Sequence, residues 1–233
     1  MLIYTLAFDL DDTLYDRAQP LKKAFREFIQ EDRIDFWKFH EIFQINGEIA
    51  FVKEKNQLWT LDQSHIFRIK ETLKQLGLEI NNEQAIVFQK TYEQYQQEIK
   101  VYPLITEILD FLMKKEILSI IITNGPKFHQ RNKIRNLGLD KYFTPEKIFV
   151  SGEDGIAKPD KGIFELAEKR FQLNKATTWY IGDSYSNDII GAREAGWNSI
   201  WFNPRNEKRE KNIATSTVSS TSELFEWIKR KFD

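Results

Sequence analysis

Asp9, Asp11 and Asp12 crowd three carboxylates into four consecutive positions, just after the apolar run ending at Phe8 and just before Thr13. Like charges this close repel and raise one another's pKa, so the cluster is costly unless a cation joins it. A blander reading exists, because Asp and Thr are also good helix caps. An Asp-x-Asp-x-Thr pattern arises by chance in about one chain in twenty-five at residue frequencies of roughly 5–6% each. The cluster gains weight from three others further along. Thr123-Asn124-Gly125 offers a hydroxyl, an amide and exposed backbone N–H groups, all donors a phosphate could accept from. Lys158-Pro159-Asp160 adds a cation, although most lysines taken singly are only solvated surface charges. Gly182-Asp183-Ser184-Tyr185-Ser186-Asn187-Asp188 adds two more acids after another buried run.

Phosphoryl transfer to a carboxylate needs these parts together. A phosphate monoester dianion repels the attacking acid, so Mg²⁺ and cationic or N–H donors must neutralise the charge. Aspartate oxygens are hard ligands that suit Mg²⁺. A second carboxyl group must give a proton to the leaving alcohol and can then act as base on a water.

Each cluster follows a short run without polar alternation, the pattern of strands buried on both faces of a parallel sheet. The runs are Leu2 to Phe8, Ile117 to Ile122, Ile148 to Val150, Thr178 to Ile181 and Ser199 to Phe202. Helical spacing lies between them, with Pro103 and Pro159 where first turns could begin and Gly138 and Gly196 where helices could end. Strand alternating with helix predicts a three-layer, Rossmann-like α/β core, and such sheets bind ligands beyond the carboxyl ends of their strands. The stretch 16–99 breaks the rhythm. Leu21, Phe25, Phe28 and Ile29, then Phe36, Phe39 and Phe43, then Ile66, Ile69 and Leu73 recur at helical intervals, which predicts an inserted all-helical domain. The expected division is therefore a core of 1–15 and 100–233 and an insert of 16–99. Asn203 to Lys211 reads as a solvated loop, and Ser220 with Glu223 as a capping box opening a last helix through Phe232.

Bulk properties narrow the partners. The formal net charge of −1 over 233 residues provides no global field for a nucleic acid polymer or an anionic membrane. The absence of cysteine excludes disulfides, thiolate metal sites and a cysteine nucleophile. Met1 to Phe8 is too short and lacks the basic leader of a signal peptide, and no apolar run reaches membrane-spanning length, so a cytoplasmic protein is expected. No Walker loop or dinucleotide fingerprint implies ATP or NAD.

The set DLDDT, TNG, KPD and GDSYSND, in this order and each after an apolar run, resembles the four motifs of the haloacid dehalogenase superfamily. The resemblance covers about 1–15 and 100–233. The tail of the fourth motif is similar to the branch with a helical cap, which includes nucleoside monophosphate phosphatases. It implies a Mg²⁺-dependent phosphatase of small phosphate esters that works through an aspartyl phosphate. By resemblance, Asp9 is the nucleophile and a metal ligand, and Asp11 is the general acid and base whose backbone carbonyl also binds the metal. Thr123 and Asn124 hold the phosphoryl group, with Gly125 and the backbone near Asp12 assisting. Lys158 bridges phosphate and nucleophile, Asp183 is a further metal ligand, and Asp188 orders the metal's surroundings or the lysine. The cap would close over the core and select the leaving group. Its aromatics Phe36, Trp37, Phe39, Phe43, Phe51 and Trp59 are read first as the cap's own core, and Arg17, Lys53, Lys55 and Arg68 first as solvated charges.

Two other functions share this pattern, and a third, haloacid dehalogenation, fits it worse. A sugar-phosphate mutase would return the phosphoryl group to a sugar, and isomerisation without net phosphate release would select it. The resembling dehalogenases lack both the metal and a carboxylate at the position of Asp11. A non-catalytic phosphate-binding module would bind Mg²⁺ and phosphate without turnover.

Overall fold

A computed structural model describes residues 4–29 and 33–232. The chain divides into two compact units, Met1–Arg17 with Lys100–Asp233, and Ala18–Ile99. Among the described residues no helix is long and apolar enough to cross a membrane.

The first unit is built on a six-stranded parallel sheet in the order β3-β2-β1-β4-β5-β6. Its strands are β1 (Thr5–Phe8), β2 (Leu118–Thr123), β3 (Ile148–Val150), β4 (Thr178–Gly182), β5 (Asn198–Phe202) and β6 (Ser216–Val218). Phe8 lies in register with both Ile121 and Ile181, and the Asp9 N–H continues the ladder to the Ile181 carbonyl at 2.8 Å. β2 runs two residues past that level to Thr123 and β4 one residue to Gly182, so the carboxyl ends of all three open on the same edge of the sheet. Successive strands leave β1 in opposite directions there, the crevice where open α/β sheets take ligands. Ala7, Ile120, Ile122, Phe149 and Tyr180 share one face and pack on Ile163, Phe164 and Ala167 of α8 (Lys161–Phe171) and on Ala192 of α9 (Ile190–Glu194). The alternate residues Leu6, Phe8, Ile121 and Ile181 are equally buried. A sheet covered on both faces is why these strands carry no polar alternation. Helices α5 (Ile105–Lys114), α6 (Lys127–Asn136), the short α7 (Ser151–Asp154) and α10 (Thr221–Phe232) complete the unit.

Several expectations need adjusting. Thr5 to Phe8 form the observed part of the first strand; Leu2 and Ile3 lie outside the described residues. Pro103 does not open a helix, since α5 starts at Ile105 after Leu104 in a left-handed conformation, φ 67°. At α10 the Ser220 hydroxyl accepts the Glu223 N–H at 3.2 Å, but the Glu223 carboxylate reaches back to the N–H of Ser219 rather than Ser220. β6 was not expected, because Ser-Thr-Val is short, polar and half exposed at the sheet's edge.

The second unit is all helical: α1 (Gln19–Phe28), α2 (Phe36–Lys55), α3 (Leu61–Gln75) and α4 (Asn82–Gln97). Asp35 caps α2 by accepting the Lys38 N–H, and reciprocal capping boxes, Thr60 with Gln63 and Asn81 with Gln84, open α3 and α4. Phe25, Phe36, Phe39, Phe43 and Phe88 meet Leu21, Ile69 and Leu73 in one buried cluster, with Phe39 and Phe43 stacked at 5.6 Å. Three of the six aromatics named from the sequence, Phe36, Phe39 and Phe43, thus pack the unit's interior. Trp37 is nearly half exposed and Phe51 more so.

Candidate active site

Lys158 organises one side of the site. Its Nζ donates to Asp9 Oδ1 at 2.6 Å, to Asp188 Oδ1 at 2.7 Å and to the Tyr180 hydroxyl at 2.7 Å, with the side chain only 2% exposed. All three ammonium protons are used, as a buried cation requires. The Tyr180 hydroxyl in turn donates a hydrogen bond to the Ile122 carbonyl at 2.7 Å. Burial alone would lower the lysine's pKa, but Asp188 and Asp9 outweigh it and hold the group charged. Asn124 fixes the backbone beneath, accepting the Lys158 N–H and donating to the Lys158 carbonyl, each at 2.9 Å.

Asp183 and Asp188 leave the end of β4 through a tight turn. The Ser184 N–H binds Asp188 Oδ2 at 3.0 Å, folding Asp188 back under the strand end. Gly182 makes room for it, since a Cβ there would lie 2.3 Å from that oxygen. Asp183 is tied to the first loop by its N–H to Thr13 Oγ1 at 3.1 Å, and its carbonyl accepts the Trp201 indole at 2.9 Å.

Asp9, Asp183 and Asp188 each place a carboxylate oxygen within 4.8 Å of the others. One lysine cannot balance three acids. Burial, and then the charges of Asp188 and Asp12, push Asp183 up to about 7, and burial carries Asp9 well above the usual carboxylate range despite Lys158. Surplus negative charge on hard oxygen donors is what a divalent cation such as Mg²⁺ would offset, so the donor set fits that ion.

The other side of the site centres on Asp11. Lys133 Nζ lies 2.7 Å from its Oδ1 and 2.9 Å from its Oδ2, Gln130 Nε2 donates to Oδ2 at 2.9 Å, and the Tyr15 hydroxyl donates to Oδ1. Burial pulls its pKa up, but the Lys133 charge and these donors bring it below the ordinary value. The same Gln130 nitrogen donates to Thr123 Oγ1 at 2.6 Å. Asp12 turns the chain with φ 60° and accepts the Arg17 N–H at 2.9 Å.

Asp9, Asp11, Asp12, Thr123, Asn124, Lys158, Asp183 and Asp188 line a single cavity of about 340 Å³. Asn124 and Gly125 have partners other than those expected. Both ends of the Asn124 amide are engaged by the Lys158 backbone, and the Gly125 N–H donates to Ser151 Oγ at 2.9 Å. Tyr15, Gln130, Lys133 and Tyr180 join the site although no motif in the sequence marks them. The segment Asn203 to Lys211 is more than a solvated loop, since Glu207 and Arg209 line the cavity and the Asn203 amide pairs with both backbone groups of Glu207. Arg17 lines it too, whereas Arg68 lies against the Phe43 ring at 4.3 Å; Lys53 is exposed, and the Lys55 side chain lies outside the described structure.

The chain belongs to the haloacid dehalogenase-like hydrolase family, whose model matches residues 3–196. It is 25% identical over 237 residues to the glyceraldehyde 3-phosphate phosphatase of Pyrococcus furiosus, covering 98% of this chain and 94% of that one. It is 24% identical over 227 residues to the pyrimidine 5'-nucleotidase PynA of Streptococcus pneumoniae, covering 96% and 94%. Among solved structures, the magnesium-bound HAD-hydrolase YfnB of Bacillus subtilis superposes with a TM-score of 0.69 at 25% identity, covering 98% of this chain and 99% of that one.

Proposed function

We propose that this phosphoric monoester hydrolase is Mg²⁺-dependent and releases phosphate from small esters, nucleoside monophosphates among them, through an aspartyl phosphate on Asp9. The observation that carries the reading is the buried Lys158 ammonium shared by Asp9 and Asp188 beside Asp183. Lys158 holds one Asp9 oxygen and leaves the other to attack phosphorus; that P–O bond forms as the ester P–O bond breaks. Asp11 gives its proton to the departing alcohol, and a nearby phosphate dianion favours the protonated form it needs. The carboxylate left behind takes a proton from water, which displaces phosphate from Asp9. Asp9, Asp183 and the Asp11 carbonyl would hold Mg²⁺, with Asp188 ordering them through Lys158; when bound, the ion supplies charge that offsets the phosphoryl oxygens. Thr123 contributes its hydroxyl to the phosphoryl group, while Asn124, Gly125 and the backbone at Asp12 shape the loops around it. Residues 18–99 serve as the cap, and 1–17 with 100–233 as the catalytic core.

The choice of substrate draws support from PynA, named a pyrimidine 5'-nucleotidase, and from the Pyrococcus furiosus protein, named a glyceraldehyde 3-phosphate phosphatase. Asp9→Asn is expected to abolish Mg²⁺-dependent phosphate release from 4-nitrophenyl phosphate. A fully active variant would end the proposal. A panel of nucleoside monophosphates, triose phosphates and other small esters then ranks the substrates by kcat/KM.

A further inference from the structure

We infer that Tyr15, Gln130 and Lys133 are positioning residues that aim the Asp11 carboxyl at the site of proton transfer, an inference that rests on the acid and base role proposed above. A carboxylate offers about four acceptor directions. At Asp11 all are taken in the resting site, Oδ1 by Lys133 and Tyr15 and Oδ2 by Lys133 and Gln130, so the Lys133 ammonium, which spans both oxygens, releases one of them before that oxygen can carry the transferred proton. Such saturation removes the rotational freedom that an aspartate side chain has on a loop, and proton transfer is sensitive to misplacement on the scale of an ångström.

The three donors come from two places. Tyr15 lies four residues after Asp11, is 2% exposed, and shares its loop. Gln130 and Lys133 stand one turn apart on α6, so they present neighbouring head groups to the same carboxylate. Gln130 is 1% exposed and donates to both Asp11 and Thr123, which ties the proton-transfer group to the phosphate-binding hydroxyl through one nitrogen. Gly125 admits it, since a Cβ there would come within 3.0 Å of Gln130 Cδ. The separation between proton donor and phosphoryl group is thus set by α6 together with the first loop.

The two chemical steps depend on Asp11 differently, which supplies the test. A 4-nitrophenolate leaving group departs without help, whereas hydrolysis of the aspartyl phosphate always needs the base. In rapid-mix assays with Mg²⁺ and 4-nitrophenyl phosphate, Lys133→Met and Tyr15→Phe should keep the first-turnover release of nitrophenolate within about threefold of wild type. Their steady-state rates should fall by about 10- to 100-fold, part of the 10²–10⁴ that a positioned acid–base group provides. Lys133→Arg should recover most of the loss. Lys133 keeps 29% of its side chain exposed, so its replacement should melt close to wild type. Unchanged steady-state rates in both variants would overturn the inference, as would first-turnover and steady-state rates falling together. Asp11→Asn in the same assay separates the levels. If it turns over normally, the role of Asp11 fails; if it is slow while both positioning variants are fast, only the role of its three partners fails.

Discussion

The two units bury polar groups in opposite ways. At the strand ends of the sheet unit, Asp9, Lys158 and Asp188 are all buried charges, and with Asp183 beside them one lysine stands among three clustered acids at the cavity wall. Inside the helical unit the buried polar groups are neutral and locally matched: Asn46 donates to Thr72 at 3.1 Å, and Thr72 back to the Arg68 carbonyl at 2.6 Å. Its partly buried Arg68 lies over the Phe43 ring and donates to Gln89 at 2.9 Å, although its Nε is buried without a hydrogen-bond partner. Unbalanced buried charge is costly to maintain and marks a place where a ligand is expected to complete the set, whereas matched neutral pairs merely let helices pack.

That contrast breaks first at Lys158. Lys158→Met leaves Asp9 and Asp188 facing each other with no cation, so kcat/KM should fall by about 10²–10³ or more. Stability by urea denaturation in metal-free buffer should fall by about 3–5 kcal/mol, as when one partner of a buried ion pair is removed. A variant as stable as wild type would show that the charges are not strained against one another. In the helical unit, Phe39→Ala should cost about 3–5 kcal/mol by opening a cavity among Phe25, Phe43 and Phe88. Calorimetric titration with Mg²⁺ should give an unchanged affinity for the fraction that remains folded. The subtlest expectation concerns pH. Asp183 sits near 7 in the folded chain against an ordinary 3.8, so the metal-free folded state binds more protons than the unfolded chain between those values. Its contribution to stability is present at acid pH and is lost as pH rises toward 7, and Mg²⁺ should reverse the trend. Melting curves from pH 4 to 8, with EDTA and with Mg²⁺, test this; parallel curves would contradict it.

Much of the charged side was legible in the sequence because each acid or lysine follows a run of apolar residues that could only be a buried strand. Phe8, Ile121 and Ile181 lie in register and bring such runs to a common edge, which a parallel order makes natural. The partners of Asp11 were illegible for the converse reason. Lys127 to Asn136 is a polar helix in which Gln130 and Lys133 look like any solvated face, and only the fold turns them toward the first loop. Tyr180 was hidden inside Thr-Trp-Tyr-Ile, where an aromatic reads as packing. In the insert, helical periodicity located the core aromatics, but spacing alone did not separate Phe39, fully buried, from Trp37, nearly half exposed.

Tyr180 belongs to β4, yet its hydroxyl rests on the Ile122 carbonyl of β2, two strands away with β1 between. The ammonium of Lys158 leans on that crossbeam. Any change in how far apart those strands lie is therefore transmitted to the lysine head. Phe164, whose ring meets that of Tyr180 edge-on at 5.3 Å from the helical layer beneath, acts as the crossbeam's footing. Trimming it would detune catalysis from a position that never meets the substrate.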